Sequence, residues 1–182
     1  MQRFDLHLRE IAGWRALLTE AQLVAAEFLP VSVEEYLVCL LYRTVGQPGD
    51  PEVHAQNFLE SFLRQHPDPL SVGDQCLLYA GLFPEHAIDK GIPITYFVQV
   101  GQNAYGEHGA RAGDPVSREL SAHFVAVIDV LHTLRELRNG SPCIDGMNAY
   151  QLWHDTGSHH AWQVLRRLTP ALPAGEATTV RH

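Results

Sequence analysis

The chain has 182 residues, of which 46% are hydrophobic and 19% are charged, and its net charge at pH 7 is −8. This length fits one domain, and this apolar content is enough for a core, which argues against global disorder. The acidic balance argues against nucleic acid or an anionic membrane surface as a partner, because binding to either relies on clustered Lys and Arg.

The N-terminal residues and the cysteines predict a cytoplasmic protein. Met1 to Leu6 lacks the basic and apolar regions of a secretory signal, and no run of ~18 apolar residues predicts a transmembrane helix. The three cysteines, Cys39, Cys76 and Cys143, show no Cys-x-x-Cys spacing. We therefore expect reduced thiols, and we expect no cofactor.

The first half of the chain has the apolar spacing of helices, separated by helix start and stop signals. Ser32 with Glu35 forms a capping-box pattern, and Asp50-Pro51 is typical of a helix start. The predicted helices are one or two over residues 7–27, one from Tyr36 to Tyr42, one carrying Phe58, Leu59, Phe62 and Leu63, one from Ser71 to Phe83, and a short one from Pro84 to Lys90.

Residues 94–100 fit two kinds of secondary structure. Alternation of Ile94, Tyr96 and Val98 is typical of a strand, whereas Tyr96, Val100 and Ala104 share one face of a helix. Because no second strand is predicted, a strand here would have no partner. We therefore predict a helix.

The second half of the chain predicts longer elements. Polar, Gly-rich residues 106–115 predict a mobile loop, residues 117–138 one helix, and residues 148–168 a last helix. Residues 169–182 predict a flexible tail. Together these elements predict an all-α, single-domain bundle of six to eight helices over residues 1–168.

Adjacent potential metal ligands occur in the segment His154-Asp155-Thr156-Gly157. This segment resembles the His-Asp-x-Gly segment of the HD-domain metal-dependent phosphohydrolases, which are all-helical. The resemblance implies that His154 and Asp155 bind a metal. On one continuous helix, Asp155 would also lie beside His159, so the residues leave open a solvated contact or a ligand pair.

Two upstream histidines, His123 and His132, are candidates for a further metal ligand. On the predicted helix 117–138 they point in nearly opposite directions, so one helix cannot aim both at one ion. The chain has no Glu-x-x-His sequence, which argues against a ferritin-like di-iron site. It also has no Gly-x-Ser-x-Gly elbow and no phosphate-binding glycine motif.

A third candidate site is a cluster of polar and aromatic residues between residues 73 and 106. Tyr79, Tyr96, Gln99 and Asn103 stand there among apolar neighbours. Buried phenols and amides must form hydrogen bonds with one another or with a ligand. The pattern leaves open a structural polar network or a small-ligand pocket.

The same stretch of about 35 residues carries a second resemblance. Its residues are Gly73-Asp74, Gly81-Leu82-Phe83-Pro84-Glu85, Tyr96, Gly101 and Ala104-Tyr105. They resemble an uncharacterised family of bacterial hypothetical proteins. The resemblance implies a bacterial protein and no known activity.

Two large apolar residues, Leu152 and Trp162, fall off the apolar face of the predicted last helix. Aromatic anchors are enriched at interface cores, so these residues are candidate contacts for a partner, or else they pack against another part of the chain. We expect a small cytoplasmic binding module that self-associates or takes a protein partner, rather than an enzyme. An HD-like hydrolase and a small-ligand-binding protein are the alternatives.

Overall fold

A computed structural model describes residues 2–45 and 68–168. These residues form one domain whose regular elements are all helices, which confirms the all-α prediction, although the described part contains nine helices rather than six to eight. The helices are α1 (Gln2–Ala25), α2 (Val31–Val45), α3 (Pro69–Gly81), α4 (Pro84–Asp89), α5 (Ile94–Ala112), α6 (Pro115–Ala122), α7 (Phe124–Asn139), α8 (Gly146–Thr156) and α9 (His159–Leu168).

Two predicted segments lie outside the described residues. They are the helix following Asp50-Pro51, within residues 46–67, and the C-terminal tail, residues 169–182. The predicted domain boundary at residue 168 therefore stays a prediction. Within the described ranges, no helix is both long enough and apolar enough to cross a membrane.

Aspartate side chains cap the N-termini of three of the helices. Asp68, Asp114 and Asp145 each precede a helix and accept hydrogen bonds from backbone N–H groups of its first turn. These N–H groups have no partner inside the helix, so a capping carboxylate stabilises it. Helix α3 accordingly begins at Pro69, two residues before the predicted start at Ser71.

The capping box predicted at Ser32 is wrong. Ser32 lies inside α2, and its hydroxyl donates a hydrogen bond to the Glu119 carboxylate of α6. The hydroxyl therefore joins two helices that are distant in sequence.

The ambiguous residues 94–100 are helical, as predicted. Helix α5 continues well beyond them to Ala112, so the mobile loop predicted over residues 106–115 is wrong. The connection is only Gly113 and Asp114: Gly113 has a φ of 68°, which favours glycine, and Asp114 caps α6. The Gly-rich composition reflects close packing of α5 on its neighbours.

Two predicted helices are each divided in the structure. The predicted helix 117–138 is broken at His123 into α6 and α7. The predicted helix 148–168 is broken at Gly157 and Ser158 into α8 and α9, because Gly157 has a φ of 74° and ends α8. In both places the apolar spacing runs on across the break, so periodicity alone misses it.

The core lies between α3, α5 and α7. Helix α3 packs along α5 and against α7, α7 also packs against α1 and α9, and α2 packs against α1. Large side chains from five of these helices are fully buried, among them Trp14, Leu37, Leu77, Phe97, Tyr105, Phe124 and Leu131.

Gly101 allows the closest helix contact near the candidate sites. A Cβ atom at Gly101 would lie 2.3 Å from Cζ of Phe124 and 2.9 Å from Cβ of Cys76. Both neighbours are fully buried, and the Cβ of Cys76 is fixed by its backbone. The short distance between α5 and α3 therefore depends on the absence of a side chain at Gly101.

We expect Gly101→Ala to lower the free energy of unfolding by roughly 1–3 kcal/mol, because one extra methyl group overpacks this contact. The control is Gly106→Ala in the same helix, where the nearest atom is Ser121 Oγ at 3.3 Å and the gain in helix propensity is about 1 kcal/mol. Urea unfolding measures both variants. Equal effects of the two substitutions would contradict the proposed packing constraint.

Candidate functional site

The strongest candidate for a functional surface is the pair of helices α8 and α9. These helices run antiparallel and pack on each other. Leu168, at the end of α9, lies over Gly146, at the start of α8: a Cβ atom added to Gly146 would lie 3.1 Å from Cδ1 of Leu168. We call the five residues Met147, Tyr150, Trp153, Trp162 and Leu168 the aromatic corner.

The aromatic corner exposes a large apolar surface. The exposed fractions of Met147, Tyr150 and Leu168 are 76%, 51% and 57%. The ring of Trp153 stacks on that of Trp162 with centroids 5.0 Å apart, and the ring of Tyr150 lies 6.1 Å from that of Trp153. Rigid aromatic groups of this kind are the usual anchors of protein interfaces.

A buried carboxylate fixes the start of α9 from beneath. Asp129 of α7 accepts a hydrogen bond from the Ser158 hydroxyl at 2.5 Å and one from the His159 backbone N–H at 2.8 Å. The Ser158 oxygen in turn accepts from the Ala161 backbone N–H at 3.0 Å. Ser158 therefore caps α9, and Asp129 supplies a second cap from a helix 29 residues away.

The electrostatics of Asp129 show why this contact is specific. Burial raises the pKa of Asp129, while the hydrogen bonds from Ser158 and from the α9 backbone act in the opposite direction. A buried carboxylate without donors is costly, so Asp129 stabilises the fold only while α9 begins at this point.

A second polar contact joins α7 to α9 about two turns further along α7. Glu136 accepts hydrogen bonds from His160 Nε2 at 2.8 Å and from Arg167 at 3.1 Å. Burial acts to raise the pKa of Glu136, but the hydrogen bonds and charges of His160 and Arg167 outweigh it and lower the pKa. Both ends of α9 are thus tied to α7.

A buried pair of histidines lies between these contacts. His132 donates from Nε2 to the Ala80 carbonyl of α3 at 2.8 Å, and its ring centroid is 5.1 Å from that of His160. Among the described residues, the Nδ1 atoms of both rings are buried without a hydrogen-bond partner. Burial lowers the pKa of His132 to about 3, so the ring is neutral at pH 7.

The sequence-predicted metal ligands do not gather around one point. His154 and Asp155 are exposed neighbours joined at 2.8 Å, and the break at Gly157 removes the continuous helix that would place Asp155 beside His159. His159 instead lies 3.4 Å from Gln163. Within the described residues, no group of three or more His, Cys, Asp or Glu side chains is placed to hold a metal ion.

The upstream candidates have other partners or positions. His132 is fully buried against α3, and His123 is exposed at the junction of α6 and α7. The HD-like metal site therefore stays a prediction from sequence.

The predicted ligand-binding cluster is divided between the core and the surface. Tyr79 is buried with its ring 5.5 Å from that of Phe97, whereas Tyr96, Gln99 and Asn103 are exposed on α5. Asn103 alone of the four lines an open groove of about 480 Å³ between α3 and α5. The groove residues are Pro69, Val72, Val100, Asn103, Ala104, Glu107 and Arg111.

The buried polar network in this region has other members. Asp74 of α3 accepts hydrogen bonds from Tyr36 at 2.5 Å, from Tyr105 at 2.8 Å and from Arg43 at 2.8 Å. Burial raises the pKa of Asp74, and the pKa values of both tyrosines are also raised, first of all by burial. With three donors the carboxylate is well satisfied, and the network joins α2, α3 and α5.

The two predicted interface residues have different positions. Trp162 is partly exposed and belongs to the aromatic corner, while Leu152 is fully buried in the core beneath it. Sequence reasoning missed the contacts of Asp129 and Glu136 with α9. The Gly157-Ser158 pair, a helix stop followed by a cap, was the local signal for the break that creates them.

No protein-family model, curated protein or solved structure matches the chain. The resemblances to HD-domain phosphohydrolases and to bacterial hypothetical proteins therefore stay predictions, and the candidate site depends on its geometry alone.

We expect Asp129→Asn to destabilise the fold by about 1–2 kcal/mol and to loosen α9, because one of the two accepting oxygens becomes an NH2 group, which cannot accept from its donor. The Trp153–Trp162 stack reports this change, so near-UV circular dichroism in the tryptophan region is the measurement. The control is Asp114→Asn, the same substitution at the cap of α6, a helix that contains no tryptophan. If both variants alter the tryptophan signal equally, Asp129 does not position the corner.

We expect His132 to make the fold less stable as the pH falls. Its pKa is about 3 in the folded chain and ~6.5 in the unfolded chain, so the neutral ring stabilises the fold fully above pH 6.5 and this contribution is lost towards pH 3. Between pH 7 and pH 5 the loss is about 2 kcal/mol. The raised pKa values of Asp129 and Asp74 act in the opposite sense, because their protonation favours the fold.

The comparison that isolates His132 is His132→Gln, whose amide can still donate to Ala80. Urea unfolding at pH 7 and pH 5 should show a pH dependence that differs from that of the wild type by about 2 kcal/mol. The control is His123→Gln, since the His123 ring is exposed and stays in water in both states. An unchanged pH dependence in His132→Gln would contradict the prediction that His132 causes the loss of stability at low pH.

Proposed function

We propose that this protein is a small, non-catalytic binding module that self-associates, with the aromatic corner as its contact surface. The observation that carries the proposal is the combination of exposure and rigidity at the corner. Met147, Tyr150 and Leu168 are all more than half exposed, yet they stand on two helices that pack on each other, and Asp129 and Glu136 fix the second of these, α9, from beneath.

The rigidity supports binding because it lowers the entropic cost of association. Side chains that are already ordered before contact lose little freedom when a partner covers them. The stacked Trp153 and Trp162 rings hold each other in place and support Tyr150 beside them. An apolar surface held in this way is costly to leave in water, and a partner would cover it.

The buried polar groups beneath the corner support a structural role better than a catalytic one. The carboxylate oxygens of Asp129 and Glu136 accept hydrogen bonds from Ser158 and from α9. His132 is fully buried, and its ring is neutral. General acid–base work needs a group within reach of a substrate and a pKa near the working pH. A second candidate, small-ligand binding in the groove beside Asn103, has only that groove in its support.

The cellular setting belongs to the same proposal. We place the protein in the bacterial cytoplasm, and the cysteines support this, since Cys39, Cys76 and Cys143 are free thiols. Burial raises the pKa values of Cys76 and Cys143 to about 12, so both stay protonated and unreactive.

We expect Tyr150→Ser to weaken self-association at least about tenfold, or ~1.4 kcal/mol, because it removes a ring from the centre of the contact surface. Sedimentation velocity over a wide concentration range is the measurement. The matched control is Tyr96→Ser, which removes a tyrosine of nearly equal exposure, 49%, from α5. A wild-type chain that stays monomeric at every concentration would contradict self-association, and equal effects of the two substitutions would contradict the corner.

A further inference from the structure

A second exposed apolar surface lies where α1 turns into α2. The exposed fractions of Leu23, Val24, Phe28 and Val31 are 64%, 55%, 73% and 72%. These four side chains fall within nine residues of chain at one end of the α1–α2 pair, and we call them the apolar turn. Single exposed apolar residues are ordinary, whereas a local group of this size indicates a contact surface.

The backbone of the apolar turn is held in one conformation. Gln22 is buried, accepts a hydrogen bond from the Leu29 backbone N–H at 2.8 Å and donates one to Glu34 at 3.1 Å. Ala26 has a φ of 55°, which costs an L-residue about 1–2 kcal/mol and is retained because Gln22 binds both sides of the turn. The apolar side chains therefore project from a fixed support, as they do at the aromatic corner.

The apolar turn and the aromatic corner differ in charge. Residues 16–42 contain four glutamates, Glu20, Glu27, Glu34 and Glu35, and no Lys, Arg, His or Asp. Helix α9 at the corner has no acidic residue, and its exposed cations are Arg166 and Arg167, of which Arg167 also pairs with Glu136 of α7.

The two aspartates of the corner have local partners of their own. The Asp145 carboxylate accepts hydrogen bonds from the Met147 and Asn148 backbone N–H groups, and Asp155 pairs with His154. The exposed charges of α9 itself are those of Arg166 and Arg167, opposite in sign to the glutamates of the turn.

We propose that the occupant of the apolar turn is the aromatic corner of a second copy of this chain, in a head-to-tail contact. This inference rests on the proposed function, because it uses the corner as the binding surface and supplies its complement. Apolar side chains face apolar side chains, and the glutamates near the turn face Arg166 and Arg167 of α9, which favours encounter and fixes register.

The same charges disfavour the symmetric alternatives. A turn-to-turn contact would bring two sets of glutamates together, and a corner-to-corner contact would bring together two copies of Arg166 and Arg167. Like charges across an interface are repulsive and select against such pairings. A head-to-tail contact uses two different surfaces of each copy, so it produces rings or open chains rather than a closed two-fold dimer.

The test mixes two variants, each with one damaged surface. Phe28→Glu damages the turn and Tyr150→Ser damages the corner, and both substitutions are at exposed positions, with circular dichroism and thermal unfolding as checks of the fold. We expect each variant alone to associate at least about tenfold more weakly than the wild type. Mixed in equal amounts they should form a complex of one copy of each, because one intact turn and one intact corner remain.

The outcomes separate this inference from the proposed function. If Phe28→Glu associates like the wild type while Tyr150→Ser does not, the aromatic corner remains the contact surface, but the apolar turn is not the surface that it binds. If both variants are monomeric and the mixture is also monomeric, the head-to-tail arrangement is overturned. A monomeric wild type overturns self-association itself. A complex that forms only in the mixture, grows no larger than two copies and weakens as salt is added supports the inference.

Discussion

The buried carboxylate of Asp129 is the contact on which the candidate site depends. It lies in the middle of α7, yet its two oxygens serve Ser158 and the first backbone N–H of α9. A buried carboxylate is costly without donors, and a helix start is costly without acceptors, so each satisfies the other. This mutual requirement sets where α9 begins and hence the position of Trp162 and Leu168, the residues that α9 contributes to the aromatic corner.

Other carboxylates join helices in the same way, and we call each such contact a joint. Asp74 joins α2, α3 and α5 through Tyr36, Arg43 and Tyr105, and Glu136 holds the far end of α9. Each joint is a carboxylate with several donors from elements distant in sequence. Apolar burial supplies most of the stabilisation in such a domain, but it is not directional. The satisfied carboxylates select one arrangement of the helices, because every other arrangement leaves a buried charge without partners.

Rigid support and exposed apolar surface occur together at two places in the chain. Asp129 and Glu136 hold helix α9 of the aromatic corner, and Gln22 holds the apolar turn. At both places the supporting side chains form hydrogen bonds within the chain, so they fix the backbone beneath the apolar surface. The proposed contact function depends on this arrangement, in which polar contacts lie inside and apolar side chains lie outside.

The sequence by itself determined the all-α class and most helices, since apolar spacing and capping residues act within a few turns of chain. It also singled out Trp162 as a candidate contact residue, which stays a prediction. Only the tertiary structure decided the break before Ser158, the core position of Leu152, the separation of Tyr79 from Asn103 and the partners of Asp129. The physical reason is that periodicity describes one helix at a time. Which helix supplies the donors for a buried carboxylate depends on residues that meet only after the chain has folded.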